Sequence, residues 1–496
     1  MNSIAAQLPR HVNGAISKDR GRRWVPPLAG ALTVVLLAAT IEIVLDGAVG
    51  HSPLIPKSPQ IAGWLTGIGE RLGFRVFLIA LLAYAGAYGG ILLLARRISS
   101  RFAIALTVAL QLIVFAGPIL LSTDVFSYIA YARMGIVHGI NPYIHGPTSI
   151  VGDPVYHYVG KDWKTVATAY GPLYTLISYP LALLGVTGAL WGMKLMALLA
   201  GAGTLVLTWR CARLREIDRR FALIAVGVNP LWVIYGLGGA HNDLIMTLLM
   251  MVAVSLTLAR HEAYAGATVV GAALVKATGI VLLPFMLLGA RREIPDGPAA
   301  AVQRRQPPPA MLDVPPARLR SRAASGIHWP TTPIPPSISR RTLSRRRLAP
   351  LIGAAAAALA CALAAYLAFG IHGVDVIAAL NRDAAFVSTD SFPTEIAHLL
   401  GKPGVFPIDH DLLKAGLVLI VLHLMWRTWR GYDWVAASGW TLLAISVTST
   451  WLLAWYTLWS LPLAAVSRDR RLLVATLVVQ ALFIVHQTAP LLAPVS

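Results

Sequence analysis

A chain of 496 residues that is 56% hydrophobic, with a mean hydropathy of +0.66, lies above the roughly 45–50% apolar share of soluble domains, and this excludes a soluble globular protein. Apolar runs of about 20 residues, the length that crosses a bilayer, recur from Leu28 almost to the C-terminus, so the chain reads as an all-α polytopic membrane protein. The formal charge of +20 sits in short runs between those segments, at Arg96-Arg97, Arg210 to Arg220, Arg291-Arg292, Arg340 to Arg347 and Arg468 to Arg471. That distribution marks cytoplasmic loops and argues against nucleic acid as the partner. Two cysteines, Cys211 and Cys361, give no disulfide framework.

In chain order, residues 1–27 form a basic tail ahead of the apolar run Leu28 to Val49. That run exceeds the roughly 7–15 residue core of a signal peptide, so it is expected to be a retained first helix with its N-terminus inside. Further spans are expected at Val76 to Ala95, Phe102 to Leu121, Ala189 to Trp209, Phe221 to Leu237, Leu244 to Ala259, Ala349 to Phe369, Leu412 to Trp429, Trp434 to Thr450, Leu452 to Val466 and Leu472 to Leu491. Two apolar segments do not fit simple crossings. If Gly171 to Val186 crossed, the basic loop RCARLREIDRR would end outside, against the positive-inside rule; the segment is therefore expected to be half-buried or re-entrant. Tyr264 to Ala290, with Lys276 in its middle, is expected to form two short helices with both ends inside and Lys276 near the outer apex. The total is about 11–13 transmembrane helices.

Residues 291–347 hold twelve Arg, eleven Pro and only three acids, a composition that cannot build a core, and are expected to be a disordered cytoplasmic linker. The linker is better read as a tether that fixes topology than as a headgroup-binding patch. The expected organisation is a cytoplasmic tail at 1–27, an N-terminal transmembrane catalytic module at 28–290 with an outer loop at 122–187, the linker at 291–347 and a C-terminal transmembrane module at 348–496. On this topology Ser122 to Tyr170, Gly238 to Asp243 and His372 to Asp411 lie outside.

Polar chemistry collects on that outer side. In STDVFSYIAYARMGIVHGINPY, Ser122 to Tyr143, a spacing of about 100° per residue puts Asp124, Tyr128, Tyr131 and His138 on one face and Val125, Ile129, Ile136 and Val137 opposite. The pattern is that of an amphipathic helix lying on the membrane surface and ended by Gly139, Asn141 and Pro142. A lone acid there would ordinarily be a helix-end charge. Asp124 is not alone: Tyr128, Tyr131, Arg133, Asn141, Tyr143, Asp153, His157, Trp163 and Tyr170 follow, a polar and aromatic set of the kind that can hold a sugar. An enzyme that moves a sugar from a lipid phosphate to a hydroxyl needs a carboxylate to take the hydroxyl proton and cations to hold the departing phosphate. Asp124 suits the first task, Lys276 and Arg133 the second.

GLGGAHNDLIM, Gly236 to Met246, puts His241, Asn242 and Asp243 on the same side, as a polar turn or as ligands for sugar hydroxyls. His241 and Asp243 lack a metal-ligand spacing; a divalent cation stays open and no cofactor is assigned. Lys276, in ALVKATGIVLLP, costs roughly 2.5–3.5 kcal/mol at a bilayer centre, which favours a function over snorkelling to the interface. Glu42 and Asp46, one turn apart, read as interfacial or paired structural acids, and the loop with Asp390 and Glu395 has no assigned role.

Together, STDVFSYIAYARMGIVHGINPY, AYGPLYTLISYP, GLGGAHNDLIM and LVKATGIVLLPF, in that order between about Phe102 and Arg292, resemble the polyprenyl-phosphomannose-dependent α(1→6)-mannosyltransferases of actinobacterial lipomannan assembly, which belong to the GT-C superfamily. TSTWLLAWYTLWSLPLAA, Thr448 to Ala465, extends the resemblance. It implies a GT-C fold in the plasma membrane and an inverting transfer of mannose from a β-linked polyprenyl-phosphate donor to a mannoside or lipid-linked glycan. It also implies that the first acid of the outer loop, here Asp124, is the catalytic base. The linker departs from the family pattern. Another polyprenyl-phosphate sugar as donor, a transporter or flippase of lipid-linked intermediates, and a non-catalytic scaffold are the competing readings. A transporter would carry an internal repeat and broken helices meeting at midplane, and no such repeat is evident.

Overall fold

In a bilayer every backbone N–H and C=O must be satisfied inside the protein, and long apolar runs meet that demand as helices. A computed structural model of the chain describes residues 25–48, 73–290, 340–375, 386–388 and 391–488; these are all-helical, with no strand among them. The helices are α1 (Val25–Ala48), α2 (Gly73–Leu94), α3 (Ser100–Ala116), α4 (Asp124–Ile136), α5 (Pro172–Ala182), α6 (Gly185–Leu214) and α7 (Arg219–Gly227). After a π-helical segment at Leu231–Leu237 come α8 (Asp243–Leu258), α9 (Glu262–Val275), α10 (Leu282–Ala290), α11 (Arg340–Phe369), α12 (Phe392–Leu399), α13 (Pro407–Trp429), α14 (Trp434–Thr448), α15 (Leu461–Val466) and α16 (Arg470–Thr488). The tail at 1–24, residues 291–339 of the linker and Asp390 lie outside the described residues.

Five described helices, α1, α2, α6, α11 and α16, are long and apolar enough to cross a membrane, and α7 with the π-helical segment makes a sixth if the pair, bent by 46°, is one span. The chain is a multi-pass membrane protein. Other expected spans are shorter: α3 has 17 residues, α8 has 16 and α14 has 15. Helices enclosed by other helices need not present 20 apolar residues to lipid, and α8 is buried along most of its length.

Helices from both sides of the linker pack together. α9 lies along α11, α15 packs on α7, and α16 on α2. Small residues permit the first of these contacts: a Cβ on Gly353 would run into the Ala263 carbonyl and one on Gly266 into that of Pro350, the close approach that small residues allow between membrane helices. The core includes Phe77, Tyr84, Phe126, Trp232 and Phe285, all fully buried.

Two expectations need correction. Leu452 to Val466 does not form a span; it breaks into a 3-10 turn at Ala454–Leu458 and the six-residue α15, and Trp455 and Trp459 turn inward as buried residues. The helix α4 does not lie half-exposed on a surface either. Val125 and Ile129 are buried on one side and Tyr128 and Tyr131 on the other, because Tyr170 and Tyr174 cover the polar face that periodicity assigned to water. His138 lies beyond the end of the helix and is exposed.

Two other apolar segments are broken rather than single long helices. Gly171 to Val186 yields only the 11-residue α5, too short to cross, before Gly185 turns with φ +72° into α6. At Lys276 the chain leaves α9 in an extended conformation, φ −150° and ψ 128°, and the Gly279 N–H returns to the Lys276 carbonyl at 2.9 Å.

Candidate active site

Three helix ends converge: the N-termini of α4 and α8 and the C-terminus of α9, carrying Asp124, Asp243 and Lys276. The signs suit the helix dipoles, with acids at N-termini and a cation at a C-terminus. The segments are joined through their backbones. The Leu120 N–H donates to the Gly238 carbonyl at 2.8 Å, and the Gly171 N–H to the Val275 carbonyl at 3.2 Å. Gly171 is required at that crossing, since a Cβ would collide with the Leu274 carbonyl. Leu121 and Ala240, each just before a polar cluster, hold positive φ angles of 61° and 50°, a conformation costing roughly 1–2 kcal/mol for a non-glycine residue. Such strain persists where surroundings enforce it, commonly at functional sites.

Asp124 stands at the rim, with 14% of its side chain exposed, and among the described residues no Lys or Arg binds it directly. His241 Nδ1 is 3.7 Å from Asp124 Oδ2 and 3.4 Å from the Tyr128 hydroxyl, and the ring stacks on Trp455 at 3.7 Å. Burial pushes the Asp124 carboxyl up to about 6; Asp243 adds to the rise, while Lys276 and a Ser122 hydrogen bond oppose it. Burial and the Lys276 charge hold His241 well below its ordinary value, so the ring is neutral. Asp124 is therefore ionised at neutral pH yet basic enough to take a proton.

Lys276 Nζ donates to Asp243 Oδ1 at 2.8 Å, and Trp459 Nε1–H donates to the same oxygen at 2.5 Å. The ammonium also lies 4.4 Å from the Tyr456 ring and 5.1 Å from the Trp459 ring, which stack on each other. It opens onto a cavity of about 310 Å³ lined also by His410, Lys414, Trp451, Tyr456 and Trp459. Asp243 Oδ2, His241 Nε2 and both amide atoms of Asn242 are buried with no hydrogen-bond partner among the described residues. Groups of this kind are uncommon in folded proteins and give the turn unused capacity for hydroxyls.

The expected site residues divide into three groups. Asp124, Tyr128, His241, Asn242, Asp243 and Lys276 are brought together, with Tyr170 and Tyr131 flanking: Tyr170 meets the Tyr128 ring at 4.8 Å, and the Tyr131 hydroxyl donates to the Val166 carbonyl at 2.9 Å. Arg133 is not brought to the site. Its Nε donates to both Asp153 oxygens at 2.9 Å, and its Nη1 to the Ala182 carbonyl at 3.1 Å. Asn141 and Tyr143 act as ties. The Asn141 amide donates to the Phe369 carbonyl at 2.9 Å, and Tyr143 packs on the Phe369 ring while donating to the Tyr170 carbonyl at 2.9 Å. Among the described residues no three His, Cys, Asp or Glu side chains stand close enough together to hold a metal ion.

Reading the sequence missed Trp455, Tyr456 and Trp459, which come from beyond the linker. Their signal was three aromatic residues within five positions of TSTWLLAWYTLWSLPLAA, a density hidden by the apolarity around it. It also missed Lys194, buried in α6, whose ammonium donates to the Gly117 carbonyl at the end of α3 and lies 4.3 Å from the Trp191 ring.

Residues 28–292, more than half of the chain, match the family model for the alpha-(1->6)-mannopyranosyltransferase N-terminal domain. The chain belongs to this family. Alpha-(1->6)-mannopyranosyltransferase A of Mycobacterium tuberculosis is 26% identical over 449 residues, 86% of this chain and 77% of that protein. The protein of the same name from Corynebacterium glutamicum is 30% identical over 178 residues, 35% of this chain and 36% of that protein. The B protein of Corynebacterium glutamicum is 26% identical over 201 residues. No solved structure matches the chain. The mannopyranosyltransferase N-terminal domain supplies Asp124, His241, Asp243 and Lys276, and the chain beyond it adds the tryptophans that close round them.

Proposed function

We propose that this membrane mannosyltransferase moves mannose from a polyprenyl-phosphate mannose to a mannoside or lipid-linked glycan on the extracytoplasmic face of the plasma membrane, with Asp124 as general base. The supporting observation is the pairing of roles at the convergence point. Asp124 is buried without a direct cation, while Lys276, near enough to influence its charge, opens onto a cavity. Asp124 accepts the acceptor hydroxyl proton as that oxygen bonds to the anomeric carbon. On the opposite side of the sugar the bond from that carbon to the phosphate oxygen breaks, and its electron pair leaves with the polyprenyl phosphate. Lys276 offsets the added negative charge, so the leaving group needs no proton. One displacement inverts a β-linked donor into an α-mannoside.

The basic stretches support the orientation. Arg215 pairs with Asp433 at 2.5 Å, and the same carboxylate oxygen accepts the Arg468 backbone N–H at 3.0 Å, so the basic runs at 210–220 and 468–471 meet at one end of the bundle. From that end α7 and the π-helical segment lead to the turn that carries His241. The positive-inside rule makes the basic end cytoplasmic and the site end outer.

The decisive experiment supplies purified full-length protein with radiolabelled polyprenyl-phosphomannose and a mannoside acceptor. Labelled α-mannoside product is expected. No transfer from this or any other polyprenyl-phosphate sugar would end the enzyme reading, and a cysteine placed beside Asp124 that is labelled only from the cytoplasm would reverse the orientation.

A further inference from the structure

The cavity beside Lys276 has a wall that the proposed chemistry does not use. It is formed by the first turns of α13, where His410 and Lys414, four residues apart and so on one helix face, line the same space as Lys276. Among the described residues no acid lines this cavity, and the remaining walls are largely apolar and aromatic, with Leu413, Leu417, Ile445 and Trp451 among them. Lys414 has no ion-pair partner among the described residues, although Lys402, twelve residues earlier, is paired with Asp409 at 3.0 Å. A second cavity of about 360 Å³ adjoins the first at Leu413 and Thr448 and continues between α12, α13 and α14 past Leu400, Gly416 and Ile420. From His410 to Ile420 the path follows about 15 Å of helix. An anion-holding head joined to an apolar channel matches one chemical class, a phosphate on a long hydrocarbon chain.

We infer that α13 completes the phosphate site of the lipid substrate: Lys414, assisted by His410, binds the phosphate together with Lys276, and the isoprenoid tail passes over Leu413 into the channel between α12, α13 and α14. The inference rests on the lipid-phosphate donor reading and extends it to residues of the C-terminal part of the chain. Lys276 alone is half-spent on Asp243, so a lipid phosphate bearing two charges after transfer needs a second cation, and Lys414 supplies it. The tail channel gives the enzyme a way to distinguish its substrate from bulk phospholipid, whose two acyl chains do not fit a single path.

The test measures equilibrium binding of undecaprenyl phosphate, which requires no sugar transfer, to full-length protein in phosphatidylcholine nanodiscs. Lys414→Ala is expected to weaken binding about tenfold, the loss of one charge-assisted contact, and Lys414→Arg to restore most of it. Leu413→Trp, which fills the junction, is expected to weaken undecaprenyl phosphate and leave geranyl phosphate unchanged; Gly416→Leu serves the same purpose should the first variant fail to fold, as judged by its melting curve. Phosphatidic acid is the competitor arm and is expected not to displace the probe. Unchanged affinity in folded Lys414→Ala and in the channel variants overturns the inference and spares the donor reading. Displacement by phosphatidic acid as effective as by undecaprenyl phosphate overturns it too, leaving Lys414 a headgroup contact. Wild-type protein that binds no polyprenyl phosphate overturns both.

Discussion

Asp124 and Asp153 are held at opposite ends of α4, and their surroundings push them in opposite directions. Burial acts to raise Asp153, but hydrogen bonds from Arg133 and His138, with the Val155 N–H, outweigh it and hold the carboxyl below its ordinary value. Asp124, 14% exposed, has no such partner among the described residues, and loss of water around it raises its carboxyl. A carboxylate bound by a guanidinium and an imidazole has its charge spent on structure. One kept from water without a direct cation retains its appetite for a proton, which is what a base requires. Nothing in the spacing of the two residues along the chain separates them; the pairing does.

The largest expected effect comes from removing the unpaired acid. Asp124→Asn keeps size and shape but cannot accept the proton, and kcat is expected to fall about 10²–10⁴-fold in the radiolabel transfer assay. Near-normal turnover would erase the contrast between the two acids. Asp153→Asn should act on stability instead. Breaking a buried pair leaves Arg133 and His138 facing an uncharged amide, at a cost of about 3–5 kcal/mol, seen as a lower melting temperature with turnover per folded molecule retained. A folded Asp153→Asn protein with normal stability and no turnover would exchange the two roles.

The sequence made the unpaired acid visible because a charge beside twenty apolar residues must be explained, and the same holds for Lys276 and the turn at His241. Arg133 is equally conspicuous in the sequence and suits a phosphate; its partner in the fold lies twenty residues on, where Asp153 closes back on it. Periodicity placed Tyr128 and Tyr131 together but said nothing of what covers them, since Tyr170 and Tyr174 arrive from beyond three short 3-10 turns. Leu452 to Val466 has the composition of a crossing, but hydropathy measures composition and not continuity. The break leaves a 3-10 turn at Ala454–Leu458, from which Trp455 stacks on His241 and Trp459 donates to Asp243. Long helices such as α1, α2 and α6 were legible to within a few residues because lipid tolerates no other local structure over that length.

Smaller effects sharpen the same contrast. Lys276→Met removes the cation at the cavity and is expected to lower kcat/KM for the polyprenyl-phosphate donor about tenfold to a hundredfold, the range of a charge-assisted hydrogen bond. Lys276→Arg should recover part of it. An equal loss with Lys276→Arg would mean that the exact fit to Asp243, and not charge at the cavity, matters.

The finest test is the pH profile. A general base accepts a proton only when ionised, so if Asp124 is that base, wild-type kcat/KM should fall below a midpoint near 6, about tenfold per unit, while Asp124→Asn loses that acid limb with its activity. Lys276 favours the ionised form, so in Lys276→Met the midpoint should move up. Stability runs the other way. Because the folded carboxyl titrates near 6 and the unfolded one near 3.8, the folded protein holds this proton more tightly, and the stabilisation is complete below the unfolded value and lost as pH rises through 6. Asp124→Asn, uncharged at every pH, should therefore melt above the wild type at pH 7 and lose that advantage near pH 4. A variant that is inactive yet more stable at neutral pH is the mark of a carboxylate kept for chemistry at the expense of the fold, and Asp153→Asn should show the reverse sign.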